Sequence, residues 1–309
     1  MKPLIAIGLG TKNRPKMLSQ ALQSLSKLML PESATFHLIV CDNDPSGSAS
    51  NEVAKTKEVL PFPVTYLLEA KEGIVFMRNK ILEEAIALNA EYLAFYDDDE
   101  AVDPLWLGEL FKTLNKYKAN VVQGHVKQKF DDLKVDELIV KFFPGSFDRQ
   151  TGDELNEAFT NNVLIDLSLV KKFGLKFNER FNLTGGSDSY FFLQLKMVGA
   201  KLVFCKDAIV TERIPETRSN LGWIYSRYYR NGYTSHLIKV ERFGKIKAWI
   251  KSARIISKVI RSCVLKTKLD SGINSEQEMK EKIKCLRAKG MLHAMIGKSH
   301  LEYSITHGG

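Results

Sequence analysis

The ten residues Glu91-Tyr92-Leu93-Ala94-Phe95-Tyr96-Asp97-Asp98-Asp99-Glu100 constrain this chain more than any other stretch. An apolar, aromatic-rich run stops abruptly in four consecutive acids. The run predicts a buried strand. It sets the acids at that strand's carboxyl end, where open α/β sheets bind ligands. Four adjacent carboxylates repel one another and tolerate crowding best around a cation. Asp97 and Asp99 lie two apart, so on an extended chain they point to the same side. Such a pair suits Mg²⁺ or Mn²⁺, with phosphate oxygens completing the shell. The plainer reading is a solvated acidic turn that caps the next helix. Asp103-Pro104 already supplies that cap and its N1 proline.

The surrounding pattern predicts an α/β fold. Short apolar runs at 5–9, 36–41 and 64–68 read as strands. Met17, Leu18, Ala21, Leu22, Leu25 and Leu28 recur at helical spacing, as do Ile74, Met77, Ile81, Ala85 and Leu88. A further helix is expected from Pro104 to about Tyr117, and further strands at 161–167 and 200–205. Strands alternating with helices indicate βαβ units and a mostly parallel sheet. Asp42-Asn43-Asp44-Pro45 leads into a Gly/Ser-rich loop, and 131–155 reads as an irregular loop or flap.

Composition narrows the setting. The 309 residues carry a net charge of +9, with 45 Lys/Arg against 36 Asp/Glu. From Cys205 onward there are 21 Lys/Arg against 9 Asp/Glu, so the basic character belongs to the C-terminal third. That asymmetry points to an anionic partner there. Four cysteines, 41, 205, 263 and 285, form no CxxC pair, which suits a reducing cytosol. The N-terminal apolar run is too short for a signal peptide or a membrane span. Within 241–268, Ile246, Trp249, Ile250, Ala253, Ile256, Val259, Ile260, Cys263 and Val264 form a stripe at helical spacing. Lys245, Lys247, Lys251, Arg254, Lys258, Arg261, Lys266 and Lys268 surround it. A basic amphipathic helix with a tryptophan suits an anionic membrane surface. It equally suits a helix packed on its own domain with solvated cations.

The other chemistry-bearing segments are short. Gly10-Thr11-Lys12-Asn13-Arg14-Pro15 follows the first strand without a phosphate-loop fingerprint. Asp42 ends the second strand and suits either a base or ribose contact or an Asx-turn. Asp188 opens an apolar helix after Gly185-Gly186 and reads as a general base or as an N-cap.

In order, Thr11-Lys12-Asn13-Arg14-Pro15, Val40-Cys41-Asp42-Asn43, Gly73 through Arg78-Asn79, Asp97-Asp98-Asp99 and Thr184-Gly185-Gly186-Ser187-Asp188-Ser189-Tyr190-Phe191 resemble the family 2 glycosyltransferases with the GT-A fold. The resemblance covers about residues 4–215. It implies a GT-A domain at 1–215, a Rossmann-like mixed sheet flanked by helices, with a basic, mostly helical region at 216–309. It implies that Thr11, Asn13, Arg14, Asp42, Arg78 and Asp98 lie around the nucleotide. Asp97 and Asp99 match the ends of the Asp-x-Asp metal motif, for Mn²⁺ or Mg²⁺, and Asp188 matches the catalytic base. The chain departs from the pattern in Ser187, where an acid is usual, and in Glu212, where many relatives have a metal-binding His. Glu212 either substitutes as a ligand or pairs with Arg213 or Arg218. Arg218 is the best candidate for diphosphate contact.

The activity implied is inverting transfer from a nucleotide-sugar, a UDP-sugar favoured, to a glycan or lipid-linked acceptor. Its setting would be surface polysaccharide or glycolipid synthesis, in the cytoplasm or peripheral on the inner membrane face. Nucleic acid is not the expected partner. Two other readings stand beside this one. A sugar-phosphate nucleotidyltransferase would want a Gly-rich basic loop after the first strand, which Gly8-Leu9-Gly10-Thr11-Lys12 barely approaches. A non-catalytic membrane- or nucleic-acid-binding protein on a decayed transferase fold would rest on the C-terminal charge.

Overall fold

The computed structural model describes residues 2–132, 134–145, 149–262 and 276–298 in full, and the backbone of 263–266 and 275. The elements run β1 (Leu4–Thr11), α1 (Pro15–Leu25), β2 (Thr35–Asp42), α2 (Ser50–Val59), β3 (Val64–Leu68), α3 (Ile74–Ala87), β4 (Tyr92–Asp97) and β5 (Glu100–Val102). There follow α4 (Trp106–Tyr117), β6 (Val121–Phe130), α5 (Glu137–Phe142), β7 (Asn162–Asp166), α6 (Leu167–Phe173), α7 (Ser187–Met197) and β8 (Leu202–Ile214). Three helices come last: α8 (Leu221–Phe243), α9 (Lys245–Lys266) and α10 (Ser275–Met295).

The strands form one sheet in the order β3-β2-β1-β4-β7-β6-β8-β5. The first four of that order are parallel, β7 runs antiparallel to both its neighbours, and β5 antiparallel to β8. Alternation along β1 explains why the sheet is buried on both faces. Ile5, Ile7 and Leu9 join the core shared with α1 and α4. Ala6, Gly8 and Gly10 face the other way, where a Cβ at Gly8 would press on Ile81 and one at Gly10 on Met77. The absence of side chains there lets α3 lie close against the strand. On that second face Phe177, Phe191 and Phe192 bury fully, with Phe177 and Phe191 stacked 4.2 Å apart.

A register shift in β6 against β8 positions the far half of the sheet. Gly124 pairs with Cys205, but His125 pairs with Ile209. Asn162, fully buried, fills the gap: it donates to the carbonyls of His125 and Ala208 and accepts from the Trp106 indole at 2.7 Å. Beyond the bulge β8 continues to Ile214 and pairs with β5, which sets Glu212 directly opposite Glu100.

Several expectations need correction. The connection from β2 to β3, read only as a loop, contains the helix α2, and Val53 is its one buried residue. β8 extends nine residues beyond the expected strand end at 205. The helix expected from Pro104 starts at Trp106, with Leu105 at its cap; Asp103 Oδ1 instead accepts from the Leu105 N–H in a turn. Within 131–155, Asp136 caps α5, which packs on α8 and α10 through Ile139, Ile224, Met279 and Ile283.

The C-terminal helices pack tightly. A Cβ at Gly232 on α8 would collide with the Arg287 carbonyl, and one at Gly290 on α10 with the Tyr229 carbonyl. The two glycines bring the helix backbones into contact. Cys41 and Cys205 are buried free thiols. The side chains of Cys263, Val264, Lys266 and Lys268 lie outside the described residues.

Candidate active site

The site forms where β1, β4, β5 and β8 deliver charged residues to one end of the sheet. β4 ends at Asp97, and residues 98–99 turn the chain into β5. Alternation along an extended strand therefore does not relate Asp97 to Asp99. The turn gathers the four acids instead, and it divides them between the two sides.

Asp98 belongs to the β1 side. It accepts from the Thr11 hydroxyl at 2.7 Å and from Arg14 Nη1 at 3.2 Å. Arg14 also lies 3.9 Å from Asp99. Asp99 lies 3.5 Å from Arg218 Nη2, and Arg218 Nη1 donates to Glu212 at 3.2 Å. A turn at 215–219, closed by the Arg218 N–H on the Pro215 carbonyl, folds Arg218 back over the acids. Arg213 points away and pairs with Asp131 at 2.6 Å. Of the two partners considered for Glu212, Arg218 is therefore the one it has.

Glu100, the fourth acid of the run, has a neighbour that only the fold supplies. It is buried, its Oε2 accepts from the Asp97 N–H at 2.9 Å, and its strand register sets it against Glu212. Like charges directly opposite across strands destabilise a sheet. The one sequence signal was the acid at 100 together with another at 212, and only the β5–β8 register connects them.

The electrostatics follow from this crowding. Burial, then Asp99, with Asp98 and Asp188 adding, raises Asp97 to about 7 against the opposing Arg78. Burial raises Asp98 to about 6, Arg14 resisting and Asp99 adding. Burial, then Asp99, raises Glu212 to about 7 against Arg218. Glu100 is pushed well above the carboxylate range by burial, Asp97 and Glu212. Carboxylates held this close favour either protons or a bound cation. Among the described residues no three metal-binding side chains already form a cage. The donor set instead fits a hard cation that takes one or two carboxylates and fills its shell from a phosphate ligand.

The second face contributes Arg78 and Asp188. Arg78 is buried on α3 and donates to the Ser187 hydroxyl at 2.9 Å. Asn43 fixes the start of α3: its amide donates to the Glu69 and Lys71 carbonyls and its oxygen accepts from the Gly73 N–H. Asp188 stands in the first turn of α7, and its Oδ1 accepts from the Ser189 N–H at 2.7 Å. The cap position belongs to Gly186, at φ +89°, a conformation other residues rarely adopt. A side chain there would also meet Thr234 of α8.

Asn13 is exposed, with φ +51°. Asp42 is fully buried beside Thr11 in the β1–β2 register. Its Oδ1 accepts from the Asp44 N–H; its Oδ2 accepts from the Ala49 N–H at 2.8 Å and the Tyr66 hydroxyl at 3.0 Å. Those bonds hold the turn into α2.

A mixed sheet of this order, with acids at the end of β4 and helices on both faces, is the GT-A fold of the glycosyltransferases. The chain belongs to glycosyl transferase family 2, whose family model matches residues 7–196. It is 30% identical over 246 residues to the succinoglycan biosynthesis protein ExoM of Rhizobium meliloti, which spans 79% of this chain and 78% of that protein. The fold is shared with mannosyltransferase PcManGT from Pyrobaculum calidifontis, solved with GDP-Man and Mn²⁺. The TM-score is 0.64 over 97% of this chain and 89% of that one, at 13% identity. It is also shared with S. aureus TarS 1–349 in complex with UDP-GlcNAc, with a TM-score of 0.56 over 78% and 66% of the two chains, at 18% identity.

Proposed function

We propose that this glycosyltransferase moves a sugar from a nucleotide-diphosphate donor, a UDP-sugar favoured, to a glycan or lipid-linked hydroxyl in surface-polysaccharide or glycolipid synthesis. The observation that carries the reading is the convergence of Asp97, Asp98, Asp99, Glu100 and Glu212 at one sheet end, with Arg14, Arg78 and Arg218 among them. The kinship with ExoM supports the polysaccharide setting, and the Mn²⁺ complex of PcManGT supports a divalent ion. We read 1–215 as the transferase domain and 216–309 as a basic, mostly helical C-terminal region that lends Arg218 to the site, in a cytoplasmic protein peripheral on the inner membrane face.

Asp99 and Asp97, with Glu212 in reserve, would hold Mg²⁺ or Mn²⁺. An ion held there would supply Lewis-acid stabilisation of the charge on the departing diphosphate. Arg218 and Arg14 already rest on Asp99 and offer guanidinium groups for phosphate oxygens. Thr11 and Asn13 border the nucleotide, and Asp42 shapes the turn beside its base. Arg78 offsets the charge of Asp97 and braces the start of α7 through Ser187. Asp188 takes the proton of the acceptor hydroxyl as the oxygen attacks the anomeric carbon. One base and a single displacement invert the anomeric configuration.

The test is calorimetric titration of UDP, GDP, CDP and dTDP, with and without Mn²⁺, on wild type and Asp99→Ala. Metal-dependent binding of one nucleotide, lost in the variant, is the expected result. Equal binding by both proteins would remove the acids from the donor site.

A further inference from the structure

The helix α9 carries seven Lys/Arg and no acid between Lys245 and Lys266. No helix among the described residues is long and apolar enough to cross a membrane. The sequence gives α9 a single apolar stripe, and the structure splits it. Ala248 and Ser252 are the fully buried contacts with the neighbouring helices. Ser252 shares a buried hydrogen bond of 2.8 Å with His236 Nδ1 on α8. That bond fixes how the helix is rotated about its axis. Ile246, Trp249, Ile250 and Ile260 are left outside, exposed by 79%, 55%, 43% and 56%.

A second stripe adjoins the first. Lys247, Lys251, Arg254, Lys258 and Arg261 recur every three or four residues along α9, and all are exposed. Among the described residues none of them pairs with a carboxylate. Lys251 lies over the Phe243 ring, 4.6 Å from its centre. From Ile246 to Arg261 the helix rises about 23 Å, so the surface is an extended strip with one apolar edge and one cationic edge.

We infer that this strip docks the protein on an anionic lipid surface, Trp249 and the isoleucines entering the acyl boundary and the cations reaching lipid phosphates. The charges select the occupant. A second copy pairing through the same face would set two cationic strips against each other, since a twofold interface uses one patch twice. A nucleic acid would meet the cations and leave the tryptophan and isoleucines in water. An anionic bilayer satisfies both edges.

The test uses the full chain and flotation with vesicles of phosphatidylcholine, alone and mixed with phosphatidylglycerol. Flotation is expected only with the anionic vesicles, and weaker as salt rises. Ile246→Ser with Trp249→Ser should lower partitioning about tenfold or more, and Lys247→Glu with Lys251→Glu about tenfold. Both pairs are on the surface, so circular dichroism and nucleotide binding should match wild type. Absence of wild-type flotation, or equal flotation of both variants, would overturn the inference. So would sedimentation that shows a dimer dissociated by Ile246→Ser with Trp249→Ser, or RNA binding that only the charge reversal abolishes.

Discussion

The molecule concentrates charge in two places and treats it in opposite ways. At the end of β4 and β8 the acids are withdrawn from water, pressed together and braced by arginines, and their proton affinities are displaced upward. Along α9 the cations are spread over one edge of a helix in solvent. Burial turns the first group into a demand for a discrete partner of opposite charge in fixed geometry. Exposure lets the second be satisfied by a diffuse surface. Substitutions in the acidic site should therefore act sharply on chemistry, and substitutions in the helical region on stability or attachment.

The largest effect is expected from Asp99→Ala. Losing the carboxylate beside Arg218 and Arg14 should cut transfer by at least about 10³-fold and abolish metal-dependent nucleotide binding. Calorimetry and a donor-turnover assay read the two effects separately. Asp188→Asn should lower transfer by about 10²–10⁴-fold while nucleotide affinity stays at the wild-type value. Weakened nucleotide binding in that variant would move Asp188 from the acceptor side to the donor side.

Much of the acidic site was legible in the sequence and half of its architecture was not. Asp97 to Asp99 announce themselves because they are contiguous and follow an apolar run. Glu100 and Glu212 meet only through the β5–β8 register, which depends on a bulge that Asn162 fills. No local pattern encodes a pairing across more than a hundred residues. The helix α2 was hidden for a different reason: with one buried side chain it has almost no apolar period to read. On α9 the apolar spacing was plain, but which edge of the stripe would be covered rests on one buried His236–Ser252 pair.

The helical region offers the next test of the contrast. Gly232→Ala should force α8 from α10 and destabilise the protein by about 1–3 kcal/mol, read by denaturant unfolding. Nucleotide binding at low temperature should persist, because the residues proposed for the donor site lie outside α8 and α10. Coupled loss of both would show that the bundle supports the site.

The buried acids also predict a pH dependence. Glu212 is raised from 4.5 to about 7 and Asp97 from 3.8 to about 7. Across that window the folded protein binds more protons than the unfolded chain, so the metal-free protein should lose stability as pH rises from about 5 to 8. Thermal unfolding should show the melting temperature falling over this range. Saturating Mn²⁺ should flatten the decline, since a bound cation favours the ionised carboxylates. Glu212→Gln should flatten it in part without metal.

The smallest effect falls on Asp42, and it separates structural burial from functional burial. An asparagine there can present one oxygen to the Ala49 N–H and the Tyr66 hydroxyl, but its amide then faces the Asp44 N–H, and one of three bonds is lost. The cost should be about 1 kcal/mol of stability. If Asp42 acts only through the turn, nucleotide affinity in Asp42→Asn stays at the wild-type value while the melting temperature drops. If it reads the base directly, affinity falls and the order of preference among UDP, GDP, CDP and dTDP changes. Tyr66→Phe supplies the control: it removes one of the same bonds without altering the carboxylate, so it should reproduce the stability loss and leave nucleotide preference alone.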